Sequence, residues 1–214
     1  MVRAHDGRRG VICRPRAGRR RTAGRAVGSG RVAIPLARAT GRAVIGIDSS
    51  PAMLRRARVA AAKVGVRLEL RSSDMRDLRL ERPAALLCCP YRALQHLPTW
   101  RDRRRTFERV AVCLAPNGRF AWNAFVFDHH FAARADGERR DEPVPHTLRC
   151  SKADNRVDIA RDDGAVSLCG GRPVTSGSDS STPRAWNWRR CTAGSSPNRS
   201  PPTGEYVFVA RRPN

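Results

Sequence analysis

The chain is short of lysine, of aromatic residues and of long apolar runs. Only Lys63 and Lys152 among its 42 basic residues are lysine, and aromatic residues make up 6% of the 214 positions. No run approaches the roughly 18 apolar residues that a membrane helix needs, so we expect no membrane span. The basic N-terminus is not followed by the apolar stretch of about 7 to 15 residues that a secretory signal contains, which argues against that export route.

Paired cysteines and metal-ligand spacings are also lacking. The seven cysteines are odd in number and show no CxxC spacing, which argues against a disulfide framework and a structural zinc site. Cys88 and Cys89 lie in an apolar run, where cysteine behaves as a small buried hydrophobe. Asp128-His129-His130 has no further ligand at a helical or hairpin spacing, so we predict no metal site. This cysteine usage fits a reducing cytoplasm.

Acidic residues are scarce at both ends of the chain, whose formal net charge is +23. Residues 1–31 carry a net charge of +9, residues 32–167 another +9, and residues 168–214 the remaining +5. We interpret residues 1–25 as a basic, disordered arm and residues 169–204, rich in Gly, Ser, Pro and Arg, as irregular or disordered. The basic residues in excess are almost all arginine, which GC-rich coding explains as readily as a nucleic-acid partner does. We therefore do not favour a nucleic-acid partner.

Between these stretches, strand and helix patterns alternate. Ser50 followed by Pro51 is an N-cap signature for a helix over 51–63, with Met53, Leu54, Ala57 and Ala61 on one face. Thr99 begins a second long helix over about 100–114, which Pro116-Asn117-Gly118 ends with a turn. The pattern predicts an α/β domain over 26–168 with a mainly parallel sheet and a short antiparallel insert. The predicted strands are 43–47, 66–71, 84–89, 119–127, three short strands at 147–150, 156–160 and 165–168, and a last one at 205–210.

A glycine pair and an acid form the first part of a candidate site. Gly28 and Gly30 flank Ser29, and Asp48 follows 18 residues after Gly30 at the end of a predicted strand. Glycines permit a tight turn and a close backbone approach to a ligand. An acid at the end of the next strand can accept hydrogen bonds from both hydroxyls of a ribose.

Two further polar segments follow the third and fourth predicted strands. Asp74 can accept a hydrogen bond from an exocyclic adenine amine while Met75 packs on the ring. Pro90 to Leu97 come directly after the strand that ends in Cys88-Cys89. Since ligands of open α/β sheets bind at the carboxyl ends of the strands near the switch point, all four segments point to one site.

With these motifs in place, the chain resembles the class I S-adenosylmethionine-dependent methyltransferases of the small, Rossmann-like type. The resemblance runs from about Gly28 to Asp163 and resumes at Glu205–Pro213. It rests on Gly28-Ser29-Gly30-Arg31, on Ile47 to Leu54, on Asp74-Met75, on Pro90-Tyr91 through Leu97, and on Leu114 to Phe120.

The resemblance implies a Rossmann-like fold with helices on both faces of the sheet and a C-terminal antiparallel strand within 205–214. It also implies S-adenosylmethionine as cofactor and a small molecule as methyl acceptor. Tyr91 and His96 follow the fourth strand near the expected position of the methyl group, and His96 is a candidate general base. The cofactor-binding residues implied by the resemblance are Gly28, Gly30, Asp48, Ser49, Asp74, Met75 and Pro90.

Two departures leave alternatives open. The family's first motif places an acid where this chain has Gly24 and a glycine where it has Ala26. A degraded, inactive relative is therefore the second reading, and a basic nucleic-acid-binding protein is the third. Cys88-Cys89 stand where nucleic-acid amino-methylating enzymes have an acid or amide and a proline, which argues against the third. Frame changes over codons 1–27 and 169–204 would account for the segments that do not match the family. The hypothesis requires that the alternative reading frames of the coding DNA encode family-like sequence there.

Overall fold

The computed structural model describes most of the region between residues 22 and 170 and two later strands. Residues 1–21 of the predicted arm and most of the 169–204 segment therefore lie outside the described residues. The described ranges are 22–25, 27–97, 99–125, 128–142, 144–153, 155–164, 166–170, 187–191 and 205–213.

A seven-stranded sheet forms the centre of the fold. Its first five strands are β1 (Thr22–Arg25), β2 (Val44–Asp48), β3 (Leu68–Ser72), β4 (Ala84–Cys89) and β5 (Leu114–Phe125), all mutually parallel. A second, antiparallel sheet of four short strands follows β5 in the chain: β6 (Arg139–Arg140), β7 (His146–Ser151), β8 (Arg156–Arg161) and β9 (Val166–Gly170). The chain then returns to the main sheet with β10 (Asn187–Cys191) and β11 (Glu205–Arg211), which gives the order β10-β11-β5-β4-β1-β2-β3.

In the described part of the chain, four α-helices connect and flank these strands, and two begin as the sequence predicts. They are α1 (Ala33–Thr40), α2 (Pro51–Lys63), α3 (Trp100–Cys113) and α4 (His129–Ala135). The Ser50 hydroxyl accepts a 3.4 Å hydrogen bond from the Met53 N–H, and the Thr99 hydroxyl accepts one of 3.1 Å from the Asp102 N–H. Each side chain satisfies a backbone donor that the first helical turn leaves without an intrahelical partner.

The helices lie on both faces of the sheet, as predicted. Strand β2 divides its side chains between two apolar cores, because neighbouring residues of a strand point to opposite faces. Val44 packs with residues of α1 and α2, whereas Ile45 and Ile47 pack with residues of α3. The α3 core also contains the buried rings of Phe107, Phe120 and Trp122.

Two local expectations about the helices are wrong. The helical spacing predicts Met53 on the buried face of α2, but it is 37% exposed, and only Leu54, Ala57 and Ala61 are buried there. Helix α3 ends at Cys113 and β5 begins at once, so Pro116-Asn117-Gly118 is no helix-ending turn. Instead Asn117 adopts φ +61° within β5, near the shift of the β4–β5 register, and asparagine tolerates this left-handed conformation better than most residues.

Two strands lie in segments that were predicted to be unstructured. Residues 22–25 of the predicted arm form β1, which sits between β2 and β4 in the sheet. Residues 187–191 of the predicted irregular segment form β10, which pairs antiparallel with β11. Neither segment has a strand-like composition, and pairing with distant partners decides its conformation.

The antiparallel insert is confirmed and has a small core of its own. Ala132 and Ala135 of α4 pack there against Leu148 and Val157. Strand β9 lies against the 3-10 turn Ala93–His96 that follows β4. Within the described residues, no helix is both long and apolar enough to cross a membrane.

Candidate functional site

The order of the strands places the candidate residues along one edge of the main sheet. The chain moves outward from β1 to β2 and β3 on one side, and β4 then returns to the other side of β1. The direction of winding therefore reverses between β1 and β4. In open α/β sheets such a switch point opens a crevice at the carboxyl ends of the strands, where ligands bind.

The glycine loop after β1 forms a tight turn at this crevice. Gly28 and Gly30 have φ values of +53° and +85°, in the region that favours glycine. The Gly30 N–H donates a 2.9 Å hydrogen bond to the Val27 carbonyl, which closes the turn ahead of α1. A Cβ atom on Gly30 would lie 3.0 Å from Cδ1 of Ile34. The loop therefore favours glycine at both predicted positions.

Asp48 joins the glycine loop to the segment after β2. Its Oδ2 accepts a 2.8 Å hydrogen bond from the Gly28 N–H, and its Oδ1 accepts one of 2.9 Å from the Ser50 N–H. A carboxylate oxygen can accept two hydrogen bonds, so each oxygen keeps capacity for a further donor such as a sugar hydroxyl. Ser49, between Asp48 and Ser50, is exposed.

Asp74 and Met75 lie after β3, and both have partners within the protein. Asp74 Oδ1 accepts hydrogen bonds from the backbone N–H and Nε of Arg76, and Oδ2 accepts one of 2.8 Å from Arg76 Nη2. Met75 is partly buried against the α3 core. Sequence reasoning missed Arg76, although its position two residues after an acid at a helix start is a signal for such a contact.

Arg76 also reaches helix α3. Its Nη1 donates a 3.0 Å hydrogen bond to Asp102, which also accepts one of 2.6 Å from the Thr99 hydroxyl. The hydrogen bond from Thr99, followed by that from Arg76, lowers the pKa of Asp102 below its ordinary value. This network fixes the segment after β3 to the start of α3.

The segment after β4 has an unusual backbone. Tyr91 and Arg92 both have φ +58°, which is uncommon for residues other than glycine and costs on the order of 1–3 kcal/mol each. The Arg92 N–H donates a 3.0 Å hydrogen bond to Oδ1 of Asn123 on β5. Such strained positions concentrate at functional sites, and here the conformation presents a half-exposed Tyr91 at the crevice.

A side-chain contact spans the switch point itself. Arg31 Nη1 donates a 2.9 Å hydrogen bond to the Tyr91 hydroxyl, and the Arg31 guanidinium carbon lies 5.1 Å from the centre of the Tyr91 ring. Arg31 directly follows the glycine pair, and this position in the sequence could have identified it as a residue of the candidate site.

His96 ends the 3-10 turn after β4, and its side chain is exposed. Within the described residues it makes no hydrogen bond or ion pair, whereas its neighbour Gln95 is buried. The structure thus puts His96 on the same edge as Tyr91 but does not join the two.

Asp128 caps α4 by accepting hydrogen bonds from the His130 and Phe131 N–H groups. The described residues contain no group of three or more His, Cys, Asp or Glu side chains that could hold a metal ion.

Comparison with known proteins agrees with this geometry. Residues 25–118 match the sequence model of a family described as a methyltransferase domain. A search of curated proteins finds no match.

Solved structures share the fold at low sequence identity. An S-adenosylmethionine-dependent methyltransferase from Clostridium acetobutylicum has a TM-score of 0.70 and 14% identity, covering 91% of this chain and 84% of its own. The amino pentose methyltransferase of calicheamicin biosynthesis from Micromonospora echinaspora, solved with its cofactor bound, has a TM-score of 0.64 and 19% identity, covering 92% and 85%. A sugar N-methyltransferase from a Streptoalloteichus species has a TM-score of 0.65 and 17% identity, covering 93% and 82%. Residues 25–118 therefore match a methyltransferase domain, and the chain shares the fold of these S-adenosylmethionine-dependent methyltransferases.

Proposed function

We propose that this chain binds S-adenosylmethionine at the carboxyl edge of β1 to β4 and transfers its methyl group to a small molecule. The observation that carries the proposal is Asp48, whose carboxylate is fixed by the Gly28 and Ser50 N–H groups and still has acceptor capacity. A fixed acceptor of this kind suits the paired hydroxyls of a ribose.

The order of the strands supports one direction for the bound cofactor. Adenine belongs near Asp74 and Met75 after β3, and the ribose belongs at Asp48 after β2. The methionine end then lies over β1 and β4, beside the glycine loop and Tyr91. Neighbouring strands are about 4.8 Å apart, so this edge from β3 to β4 spans about 14 Å, which suits a nucleoside joined to an amino acid.

Arg31 is the residue that would hold the carboxylate at the methionine end. The family's usual acid is replaced by Gly24, so this chain lacks one contact to that part of the cofactor. The Arg31 guanidinium uses one N–H on Tyr91 and keeps other donors. Guanidinium groups bind carboxylates through charge-assisted, often bidentate hydrogen bonds.

The protein's part in the reaction is to position the acceptor and to take up its proton. When bound, the cofactor supplies a methyl group on a sulfonium sulfur, which is the electrophile of an in-line displacement. Tyr91 orients the acceptor's nucleophilic atom through its hydroxyl, which Arg31 polarises. His96 accepts the proton that the acceptor loses, because its exposed imidazole has no partner among the described residues.

The antiparallel sheet beside the segment after β4 favours a small molecule as the methyl acceptor. Strand β9 of the antiparallel sheet lies against the turn that contains His96, so that sheet flanks the acceptor side of the crevice. The structures with the same fold include methyltransferases that act on an amino pentose and on a sugar nitrogen. We therefore favour a small polar acceptor on this side of the crevice.

Calorimetric titration with S-adenosylhomocysteine tests the cofactor site. We expect the wild-type chain to bind and Asp48→Ala to bind at least about tenfold more weakly, because the ribose loses its acceptor. Asp77→Ala removes an exposed carboxylate near the same edge, one that pairs with Arg105 instead, and should leave binding unchanged. Absence of binding to the wild type at millimolar ligand would support the inactive alternative, and equal binding by Asp48→Ala would refute the ribose role.

A further inference from the structure

Helix α2 carries an uncompensated positive surface. Between Asp48 and Glu69 the chain has five basic residues and no acid. All five are exposed, and none forms an ion pair with another residue of the described ranges. We call this surface the α2 basic face; its members are Arg55, Arg56, Arg58, Lys63 and Arg67.

The acids nearest in sequence form no ion pair with the α2 basic face in the described part of the chain. Both oxygens of Asp48 accept hydrogen bonds from backbone N–H groups. Glu69 pairs with Arg71, and Glu81 lies 3.4 Å from the same guanidinium. The positive charge of the α2 basic face is therefore not neutralised by its surroundings.

Helix α3, on the opposite face of the sheet, differs in this respect. It is also rich in arginine, but Arg104 lies 3.0 Å from Glu108 and Arg105 pairs with Asp77. Its Asp102 is paired with Arg76 at 3.0 Å. Among the exposed arginines of α3, Arg101 has no such ion pair in the described part of the chain, but two of the three do, whereas none of the three on α2 does.

We propose that the α2 basic face binds the phosphate backbone of double-stranded DNA. Arginine guanidinium groups match phosphate geometry and bind it through charge-assisted hydrogen bonds. Helix α2 has 13 residues and is therefore about 20 Å long. The major groove of B-form DNA, about 12 Å wide, admits such a helix, whereas the deep and narrow major groove of A-form RNA does not.

Single-stranded nucleic acid fits this surface less well. Proteins that bind single strands stack the bases on aromatic side chains, and α2 contains no aromatic residue. Contacts to phosphate alone carry no sequence information, so the binding is independent of DNA sequence. This surface function stands apart from methyl transfer, because it uses none of the residues of the candidate cofactor site.

Fluorescence anisotropy with a labelled 20-base-pair duplex, measured with the full chain between 50 and 200 mM salt, tests the proposal. The test variant combines Arg55→Gln, Arg56→Gln and Arg58→Gln. The matched control combines Arg101→Gln, Arg104→Gln and Arg105→Gln on α3, which removes the same charge from exposed positions of the other face. Glutamine is a good helix former, so both variants should stay folded, as circular dichroism will verify.

We expect the wild type to bind and the α2 variant to bind at least about tenfold more weakly at 50 mM salt. Its slope of log affinity against log salt should fall by about 2 to 3, since each phosphate contact contributes about 0.9. The α3 control should keep the wild-type slope. Equal losses in both variants would show that total charge alone drives binding and would overturn the proposal. So would absence of binding by the wild type, or better binding of a single-stranded RNA of equal length.

Discussion

The Arg31 guanidinium donates a 2.9 Å hydrogen bond to the Tyr91 hydroxyl and lies 5.1 Å from the centre of its ring. The two residues are 60 positions apart, and they extend the neighbouring strands β1 and β4 at the point where the sheet reverses its winding. Tyr91 reaches Arg31 from a backbone with φ +58°. The contact therefore links the glycine loop to the strained segment after β4, across the crevice in which we place the methionine end of the cofactor.

If Arg31 holds the cofactor carboxylate, its loss should be felt only by ligands that carry one. Arg31→Gln should weaken binding of S-adenosylhomocysteine about tenfold, the equivalent of about 1.4 kcal/mol. Binding of 5′-methylthioadenosine, which has no amino-acid group, should stay unchanged. Calorimetry on both ligands measures this, with Arg38→Gln on α1 as the charge-matched control. Equal weakening of the two ligands would contradict the assignment.

The glycine loop allows a test of its backbone. An alanine in the left-handed region costs on the order of 1–2 kcal/mol. Gly30 and Gly41 both have positive φ, but a Cβ on Gly30 would meet Ile34 at 3.0 Å whereas one on Gly41 would meet nothing within 4 Å. Gly30→Ala should therefore lower the free energy of unfolding in urea by more than Gly41→Ala does. Equal losses would mean that Ile34 moves aside without cost.

The network around Asp102 gives a pH dependence. The pKa of Asp102 is lowered first by the Thr99 hydroxyl and then by Arg76. A carboxyl whose pKa is lower in the folded chain stabilises it above the unfolded value of about 3.9, and this contribution is lost as the pH falls through the folded value. Thr99→Val and Arg76→Met should each raise the pKa of Asp102, as a carboxyl NMR titration will show. Arg104→Met should leave it unchanged, because Arg104 pairs with Glu108; a larger shift there would point to general charge effects.

The parts of the fold that the sequence predicts are those with local signals. Helix α2 begins and ends where Ser50-Pro51 and Gly65 predict, because caps and proline act within a few residues. Strands β1 and β10 escape prediction because their four- and five-residue segments are polar and gain strand structure only from distant partners. The exposed Met53 shows a further limit of sequence analysis. The spacing of apolar residues identifies the buried face of a helix but not how wide that face is.

The candidate site divides in the same way. Gly28, Gly30 and Asp48 stand out because glycine spacing and an acid at a strand end are visible along the chain. The roles of Arg31 and Arg76 depend on partners that only the fold brings near, namely Tyr91 across the switch point and Asp102 on α3. Asp74 illustrates the consequence, since the acid expected to face adenine is bound on both oxygens by Arg76.

The aromatic cluster under α3 should carry much of the stability of the sheet. Phe107 is 3% exposed and makes edge-to-face contacts with Phe120 and Trp122, at centroid distances of 5.7 and 5.3 Å. Phe107→Ala should lower the free energy of unfolding by about 3–5 kcal/mol, because the ring's burial is lost and a cavity remains. On the same helix, Val112→Ala should change it by no more than about 0.5 kcal/mol, since Val112 is 63% exposed.

Denaturant unfolding of both variants, followed by tryptophan fluorescence and by circular dichroism, measures the difference. Phe107→Leu refines the test, because leucine refills much of the space and should recover part of the loss. A Phe107→Ala variant as stable as Val112→Ala would mean that α3 is not packed on the sheet through this ring. Helix α3 also carries Asp102, which pairs with Arg76 at the edge of the candidate site. Other packing contacts of α3 would then have to hold this pair in position.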